Sequence, residues 1–191
     1  MKIALVIVIW SALGAAACGS SPEEVIKEYI AALREKNSSK IAELTAPADL
    51  SRFRSFFSYF DHRANSEFGE QLRKMYFGSD ATKESVKALS DAQFYAAYLT
   101  ASRQIILSFG SSSLEMADYK ILGHVAQDAV DHYIVSFYAD VPLPGADKPF
   151  AFSQPVVISL TQDKEGAASF LQIPDQVFMN AVAIFARING H

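Results

Sequence analysis

Cysteine is almost missing from this sequence, because Cys18 is the only one among 191 residues. A single cysteine cannot form a disulfide within the chain, so hydrophobic packing has to hold the fold together. Basic residues are also few, since 17 Lys and Arg stand against 21 Asp and Glu, which gives a net charge of −4. A chain without a basic excess lacks the electrostatic footprint of a nucleic-acid-binding protein. The composition therefore excludes a disulfide scaffold and argues against nucleic acid as a partner.

Long hydrophobic runs are missing as well, except for a short apolar stretch at the N terminus. Lys2 precedes this stretch, and the small residues Gly14-Ala15-Ala16-Ala17 separate it from Cys18. The stretch is shorter than a membrane-spanning helix needs, and its small-residue end is typical of a secretory signal. Because a cysteine follows directly, we expect a bacterial lipoprotein signal peptide over residues 1–17. Lipid attachment is then expected at Cys18, through a diacylglycerol on its thiol.

The residues around Cys18 leave one alternative open. Ala15-Ala16-Ala17 is also an acceptable site for ordinary signal peptidase, which would release a soluble chain. That chain would carry an unpaired reactive thiol in an oxidising compartment, so lipidation is the favoured interpretation. Gly19 and Ser20 follow without the Asp that keeps enterobacterial lipoproteins at the inner membrane. We therefore expect a lipid-anchored envelope protein, at the outer membrane facing the periplasm, with an anchor and linker over residues 18–20 and one domain over residues 21–191.

Helical patterns fill the first half of this expected domain. Two capping boxes mark helix starts, Ser21 with Glu24 and Ser90 with Gln93, and Pro22 takes the first helical position after Ser21. Apolar residues then recur at helical spacing. The predicted helices run from Ser21 to a break at Asn37-Ser38-Ser39, over residues 40–45, over 47–77 with a break near Ala64-Asn65, over 82–89, and from Ser90 to about Phe109.

Runs of β-branched and aromatic residues replace the helical patterns in the second half. Tyr133 to Val141 alternates apolar and polar side chains, which is typical of a half-buried antiparallel strand. Pro155 inside a later run indicates an edge position or a bulge. The order of elements predicts an α+β domain in which N-terminal helices pack on a curved antiparallel sheet. The predicted strands are Tyr119–Val125, Tyr133–Val141, Phe150–Leu160 and Ala167–Ile173, with a turn over residues 127–131 after the first and a C-terminal helix after Asp175.

The start of the expected domain carries a family resemblance. The segment Ser21-Pro22-Glu23-Glu24-Val25-Ile26-Lys27-Glu28-Tyr29-Ile30-Ala31-Ala32-Leu33 resembles the opening S-P-E-E-x-V-x-x-F/Y-x-x-A-L of small bacterial lipoproteins with a nuclear transport factor 2-like (cystatin-related) cone. The resemblance implies N-terminal helices in the concave face of an antiparallel sheet. The same cone occurs in ketosteroid isomerases, in small dehydratases and in the soluble phospholipid shuttle of the bacterial lipid-asymmetry system.

Enzymes on this cone use an Asp base or an Asp–His pair inside the cavity, so the matching pairs here are the candidates for catalysis. Asp61-His62 and Asp131-His132 are such pairs, but sequence neighbours point to different sides of a helix or strand. His124 lies on a predicted strand, and His191 is terminal. The four histidines show no spacing of metal ligands, and no serine-nucleophile or phosphate-loop motif is present. We therefore predict no catalytic residues, no metal and no cofactor.

Aromatic residues are plentiful, with 14 Phe and 8 Tyr. Many lie at helical spacing, where they either fill the core or line an apolar cavity. The segment from Phe53 to Phe57 could instead form an exposed apolar face for a partner protein. The leading hypothesis is a non-enzymatic module that binds a hydrophobic small molecule, a lipid or an envelope protein through the groove between helices and sheet. The alternatives are a small isomerase- or dehydratase-like cavity enzyme and a structural envelope-assembly protein. The candidate cavity-lining residues are Phe53, Phe57, Tyr95, Tyr98 and Phe137.

Overall fold

A layer of helices followed by an antiparallel sheet forms the computed structural model, which describes residues 21–63, 66–108, 118–141, 150–163, 169–174 and 177. The side chains of residues 59–68, 105–108 and 140–141 also lie outside this description. The described helices are α1 (Pro22–Arg34), α2 (Ser38–Glu43), α3 (Pro47–Arg63), α4 (Ser66–Phe77), α5 (Lys83–Lys87) and α6 (Asp91–Ser108), and the strands are β1 (Asp118–Gln127), β2 (Val130–Val141), β3 (Phe150–Gln162) and β4 (Ser169–Leu171). The predicted α+β class is confirmed.

Side-chain caps set the helix starts where the sequence placed them. The Ser21 hydroxyl accepts from the Glu24 amide at 3.3 Å, and the Glu24 carboxylate accepts from the Ser21 amide at 2.8 Å. Ser90 and Gln93 make the same reciprocal pair before α6, at 3.2 and 2.8 Å. Each box satisfies two of the amides that a helix start leaves unpaired. Both predicted capping boxes are confirmed.

One predicted break lies two residues earlier in the chain than expected. The sequence suggested that Asn37-Ser38-Ser39 separates two helices, but α2 already begins at Ser38. The Asn37 side chain accepts from the Lys40 amide at 3.0 Å and so caps α2 directly. Lys36 carries the positive φ of 58° that turns the chain between α1 and α2. The break therefore covers residues 35–37, and Asn37 ends it as the cap of α2.

The four strands pair in sequence order as an antiparallel meander, β1-β2-β3-β4. The predicted turn over residues 127–131 is too long, because Gln127 pairs directly with Val130. Only Asp128 and Ala129 lie between the strands, and Asp128 takes a φ of 55°, which Asp tolerates better than most side chains. Residues 130 and 131 thus belong to β2.

Pro155 of β3 has no backbone amide hydrogen to donate to a neighbouring strand. It pairs with Ser136 of β2 on one side, whereas β4 pairs only with residues 160–162 of β3. Within the described residues, no strand pairs with Pro155 on the other side, as an edge position requires. The other edge of the short β4 is paired with the segment that follows α2. The Ala46 amide donates to the Leu171 carbonyl at 2.9 Å, and the Leu171 amide donates to the Leu44 carbonyl at 2.8 Å.

Helix α1 lies between two hydrophobic clusters. Val25, Ile26 and Ile30 are almost fully buried against the inner face of the sheet. Ala32, farther along α1, belongs to a second cluster among the helices. The Asp49 carboxylate of α3 adds a polar link, because it accepts from the Ile173 amide at 2.8 Å. The helical layer and the sheet are therefore joined by apolar packing and by backbone hydrogen bonds.

Several predicted features lie outside the described residues. They are the signal peptide, Cys18, Gly19 and Ser20, the hairpin turn near residues 164–166, and the C-terminal helix beyond Val177. Among the helices that are described, none combines the length and the apolar character that crossing a membrane requires.

Candidate functional site

Six aromatic rings from α3, α4 and α6 form the centre of the helical layer, and we call them the aromatic cluster. Phe53 has no exposed surface, and its ring centroid lies 4.9 Å from that of Tyr98 and 5.0 Å from that of Tyr95. Most neighbouring rings meet edge to face, which is a favourable arrangement, while Tyr76 stacks on Tyr98 at 5.0 Å. The members are Phe53, Phe57, Tyr76, Phe94, Tyr95 and Tyr98.

The five candidate cavity-lining residues separate into three groups. Phe53, Tyr95 and Tyr98 pack inside the aromatic cluster and do not line the cavity described below. Phe57 belongs to the cluster and also lines the cavity. Phe137 is half-buried on β2 and lies outside the aromatic cluster, because it packs with the hydrophobic residues between α1 and the sheet.

The expectation that the segment from Phe53 to Phe57 forms an exposed apolar face is wrong. Phe53 and Phe57 are buried, and Phe56 is half-buried against the helical core. A helix of this length turns its repeating aromatic positions toward one side, and here that side faces α6. The segment therefore supplies core, not a docking face.

An apolar cavity of about 340 Å³ lies beside the aromatic cluster. Helices α3, α4, α5 and α6 all contribute to it, and no strand residue lines it. The sequence led us to expect a groove between helices and sheet, but Ile26 and Val135 are fully buried at that interface. The lining residues are Arg54, Phe57, Ser58, Gly69, Leu72, Arg73, Phe77, Lys83, Val86, Lys87 and Phe94.

Arg54 fixes one wall of this cavity. Its guanidinium donates to the carbonyls of Val86 at 3.3 Å and Lys87 at 2.9 Å, and also to the Leu89 carbonyl. It donates further to the Asp91 carboxylate at 3.1 Å. Carbonyls at a helix end have no partners inside the helix, so a guanidinium is a suitable cap for them. Arg54 therefore holds the C-terminal end of α5 against α3 and α6.

The candidate catalytic pair on the sheet is not brought together. Asp131 and His132 are neighbours on β2, so they lie on opposite faces. A ring nitrogen of His132, Nδ1, lies 2.9 Å from the Ser159 hydroxyl of the adjacent strand. His124 is exposed, and its ring stacks on Tyr133 at 5.3 Å. These positions are explained by strand pairing alone.

The other chemical candidates give no assembled site either. The side chains of Asp61 and His62, and all of His191, lie outside the description. Where the structure describes the chain, no cluster of three or more His, Cys, Asp or Glu residues could hold a metal ion. The described geometry therefore offers the cavity, with its apolar floor and basic rim, as the candidate site.

Burial raises the pKa of three tyrosines in the aromatic cluster. Desolvation is the main cause for Tyr76, Tyr95 and Tyr98, because a tyrosinate anion is unfavourable among aromatic rings. These hydroxyls stay protonated at neutral pH, so the wall beside the cavity carries no negative charge from them.

Sequence reasoning missed most of the residues that line the cavity. Lys83 and Lys87 were not among the predicted candidates, although their spacing of four places them on one side of a short helix. Comparisons of the chain with protein-family models, with curated proteins and with solved structures find no match.

Proposed function

We propose that this protein is an envelope-anchored lipoprotein whose domain binds a hydrophobic small molecule without chemically converting it. The cavity between α3, α4, α5 and α6 is the observation that carries the proposal. Its volume of about 340 Å³ falls within the range of about 300–1,000 Å³ that is usual for small-molecule sites. The cone-like shape, the C-terminal helix and the anchor at Cys18 belong to the same proposal and rest on the sequence.

The character of the lining supports a hydrophobic ligand. Phe57, Leu72 and Phe94 are buried in the helical core, and each also contributes part of its side chain to the cavity lining. Phe77 and Val86 are half-buried and complete the apolar lining. Covering such surface with an acyl or aromatic ligand would remove it from water, at about 25 cal/mol per Å² of apolar area. The rim of basic side chains would keep the polar end of a ligand near solvent.

Bound material is the direct test of this proposal. We would purify the full chain from a bacterial envelope, extract it with organic solvent and identify the released small molecules by mass spectrometry. Val86→Trp fills the cavity and should reduce the amount of bound lipid several-fold. Ala88→Trp adds the same side chain at an exposed position of the same segment that does not line the cavity, and should leave the amount unchanged. Equal amounts from both variants, or none from the parent chain, would contradict the proposal.

The anchor is tested separately by labelling cells with a radioactive or alkyne-tagged fatty acid. Cys18→Ala should abolish labelling and leave the precursor unprocessed by the lipoprotein peptidase. Cys18→Ser serves as a second variant, because it keeps a small polar side chain but lacks the thiol that carries the diacylglycerol. Normal processing of either variant would show that the ordinary signal peptidase cleaves after Ala17 instead.

A further inference from the structure

The charge of the cavity lining is opposite to that of the whole chain. The protein carries a net charge of −4, yet among the described residues that line the cavity four are Lys or Arg and none is Asp or Glu. Positive side chains around a low-dielectric opening focus the field on a ligand placed there. The sign of this local charge favours an anionic group at the cavity mouth.

The four cations do not have the same role. Arg54 already donates to three carbonyls and to Asp91, so its guanidinium holds the wall together. Lys83 and Lys87 lie four residues apart on α5, and both are exposed. Within the described part of the chain, neither of these two ammonium groups forms an ion pair. Lys83 and Lys87 are therefore available to an anion at the rim.

A second helix supplies a further positive charge. Arg73 of α4 also lines the cavity, and it is half-buried. Gly69 lies one helical turn earlier and has no side chain to obstruct the space beside it. An anionic group at the mouth would thus meet basic side chains from two helices, while its apolar part would lie against Phe57 and Phe94.

The size of the cavity restricts the apolar part. At about 340 Å³ the space is near the lower end of the range for small-molecule sites, which suits one acyl chain better than two. We infer that the site binds a single-chain anionic amphiphile, with a carboxylate or phosphate headgroup held by Lys83 and Lys87. This inference rests on the proposed function and names its ligand class.

Competition for a fluorescent probe tests the inference. The full chain, held in an amphipol, would be loaded with dansyl-undecanoate, and empty amphipol would give the background. Hexadecanoate and palmitoyl lysophosphatidic acid should displace the probe, and the tighter of the two identifies a fatty acid or a lysophospholipid as the source of the anion. Hexadecanol has the same chain without a charge, and we expect it to compete roughly tenfold more weakly. Hexadecyltrimethylammonium should compete more weakly still.

Two double variants separate the rim from general charge. Lys83→Gln with Lys87→Gln should weaken hexadecanoate binding roughly tenfold and leave hexadecanol binding unchanged. Lys27→Gln with Lys36→Gln removes the same charge from exposed positions of α1 and the loop after it, away from the cavity, and should change neither. All four lysines are exposed, so both variants should keep the melting temperature of the parent chain.

The outcomes distinguish the inference from the proposed function. Equal binding of hexadecanol and hexadecanoate would overturn the anionic preference while leaving a hydrophobic ligand in place. Equal losses in the two double variants would overturn the role of Lys83 and Lys87. The Val86→Trp variant, whose cavity is blocked, gives the signal expected without binding in the cavity. If none of the competing amphiphiles displaces the probe relative to this variant, both the inference and the proposed function are overturned.

Discussion

At the scale of single residues, the hydroxyl of Tyr76 stands out. The side chain is only 3% exposed, and the buried oxygen has no hydrogen-bond partner in the described structure. Burying an unpaired hydroxyl costs free energy, which the ring offsets by stacking on Tyr98 and packing against Phe57. The ring, not the hydroxyl, therefore explains the place of Tyr76 in the core.

Tyr76→Phe tests this reading of the core. The free energy of unfolding should stay unchanged or rise by about 1 kcal/mol, because the variant removes an unsatisfied polar atom and keeps the ring. Thr45→Val is the contrasting variant, since the buried Thr45 hydroxyl donates to the Ile41 carbonyl at 2.8 Å. It should lower the free energy of unfolding by about 1 kcal/mol in urea denaturation. A larger loss for Tyr76→Phe than for Thr45→Val would show that the Tyr76 hydroxyl has a partner.

At the scale of elements, α5 depends on a residue from another helix. It has five residues, which is too few for a stable isolated helix, and none of them is buried. The Thr82 and Ser85 side chains cap its start. The Arg54 guanidinium of α3 donates hydrogen bonds to the carbonyls at its C-terminal end. The wall that carries Lys83 and Lys87 is thus positioned from outside the helix.

Arg54→Lys should loosen that wall. A lysine ammonium is a point donor and cannot reproduce the planar guanidinium, which reaches three carbonyls and the Asp91 carboxylate. We therefore expect the free energy of unfolding to fall by about 2 kcal/mol. Amide hydrogen exchange should increase over residues 83–87. Arg52→Lys on the same helix is the control, because Arg52 is 54% exposed and its guanidinium pairs with the Asp49 carboxylate of the same helix at 3.5 Å. Similar exchange rates in the two variants would argue against a capping role for Arg54.

At the scale of the whole molecule, the raised tyrosine pKa values link stability to alkaline pH. Tyr76, Tyr95 and Tyr98 hold their protons above the usual pKa of about 10 when folded, whereas they lose them near that value when unfolded. The unfolded state then binds fewer protons, so stability is fully present below pH of about 10 and falls as the pH rises further. The three hydroxyls share one cluster, so their effects should appear together.

A spectroscopic titration checks this expectation. Tyrosinate absorbance should rise in two phases, with exposed tyrosines first and the buried ones only as the far-ultraviolet circular dichroism is lost. The same titration in concentrated urea should show one phase near the ordinary pKa. Complete ionisation with an unchanged dichroism spectrum would contradict the burial of these tyrosines.

The sequence by itself determined the features that depend on neighbouring residues. The two capping boxes, the helical spacing of apolar residues and the edge position of Pro155 follow from local hydrogen bonding and backbone geometry. The order of helices and strands then led to the α+β class. The turn at Asp128-Ala129 was predicted too long because a residue of positive φ can replace a longer loop. The break before α2 was predicted two residues too late because Asn37 acts as the cap of α2.

Only the tertiary structure decided which of these residues meet. Phe53 and Phe57 lie on one helix and have the same side-chain chemistry, yet one is wholly inside the core and the other also faces the cavity. That difference is set by where α4 and α6 pack, and these contacts join residues far apart in the chain. The gathering of Arg73, Lys83 and Lys87 at one cavity has the same origin, because Arg54 of α3 holds the end of α5 through hydrogen bonds that no local pattern encodes.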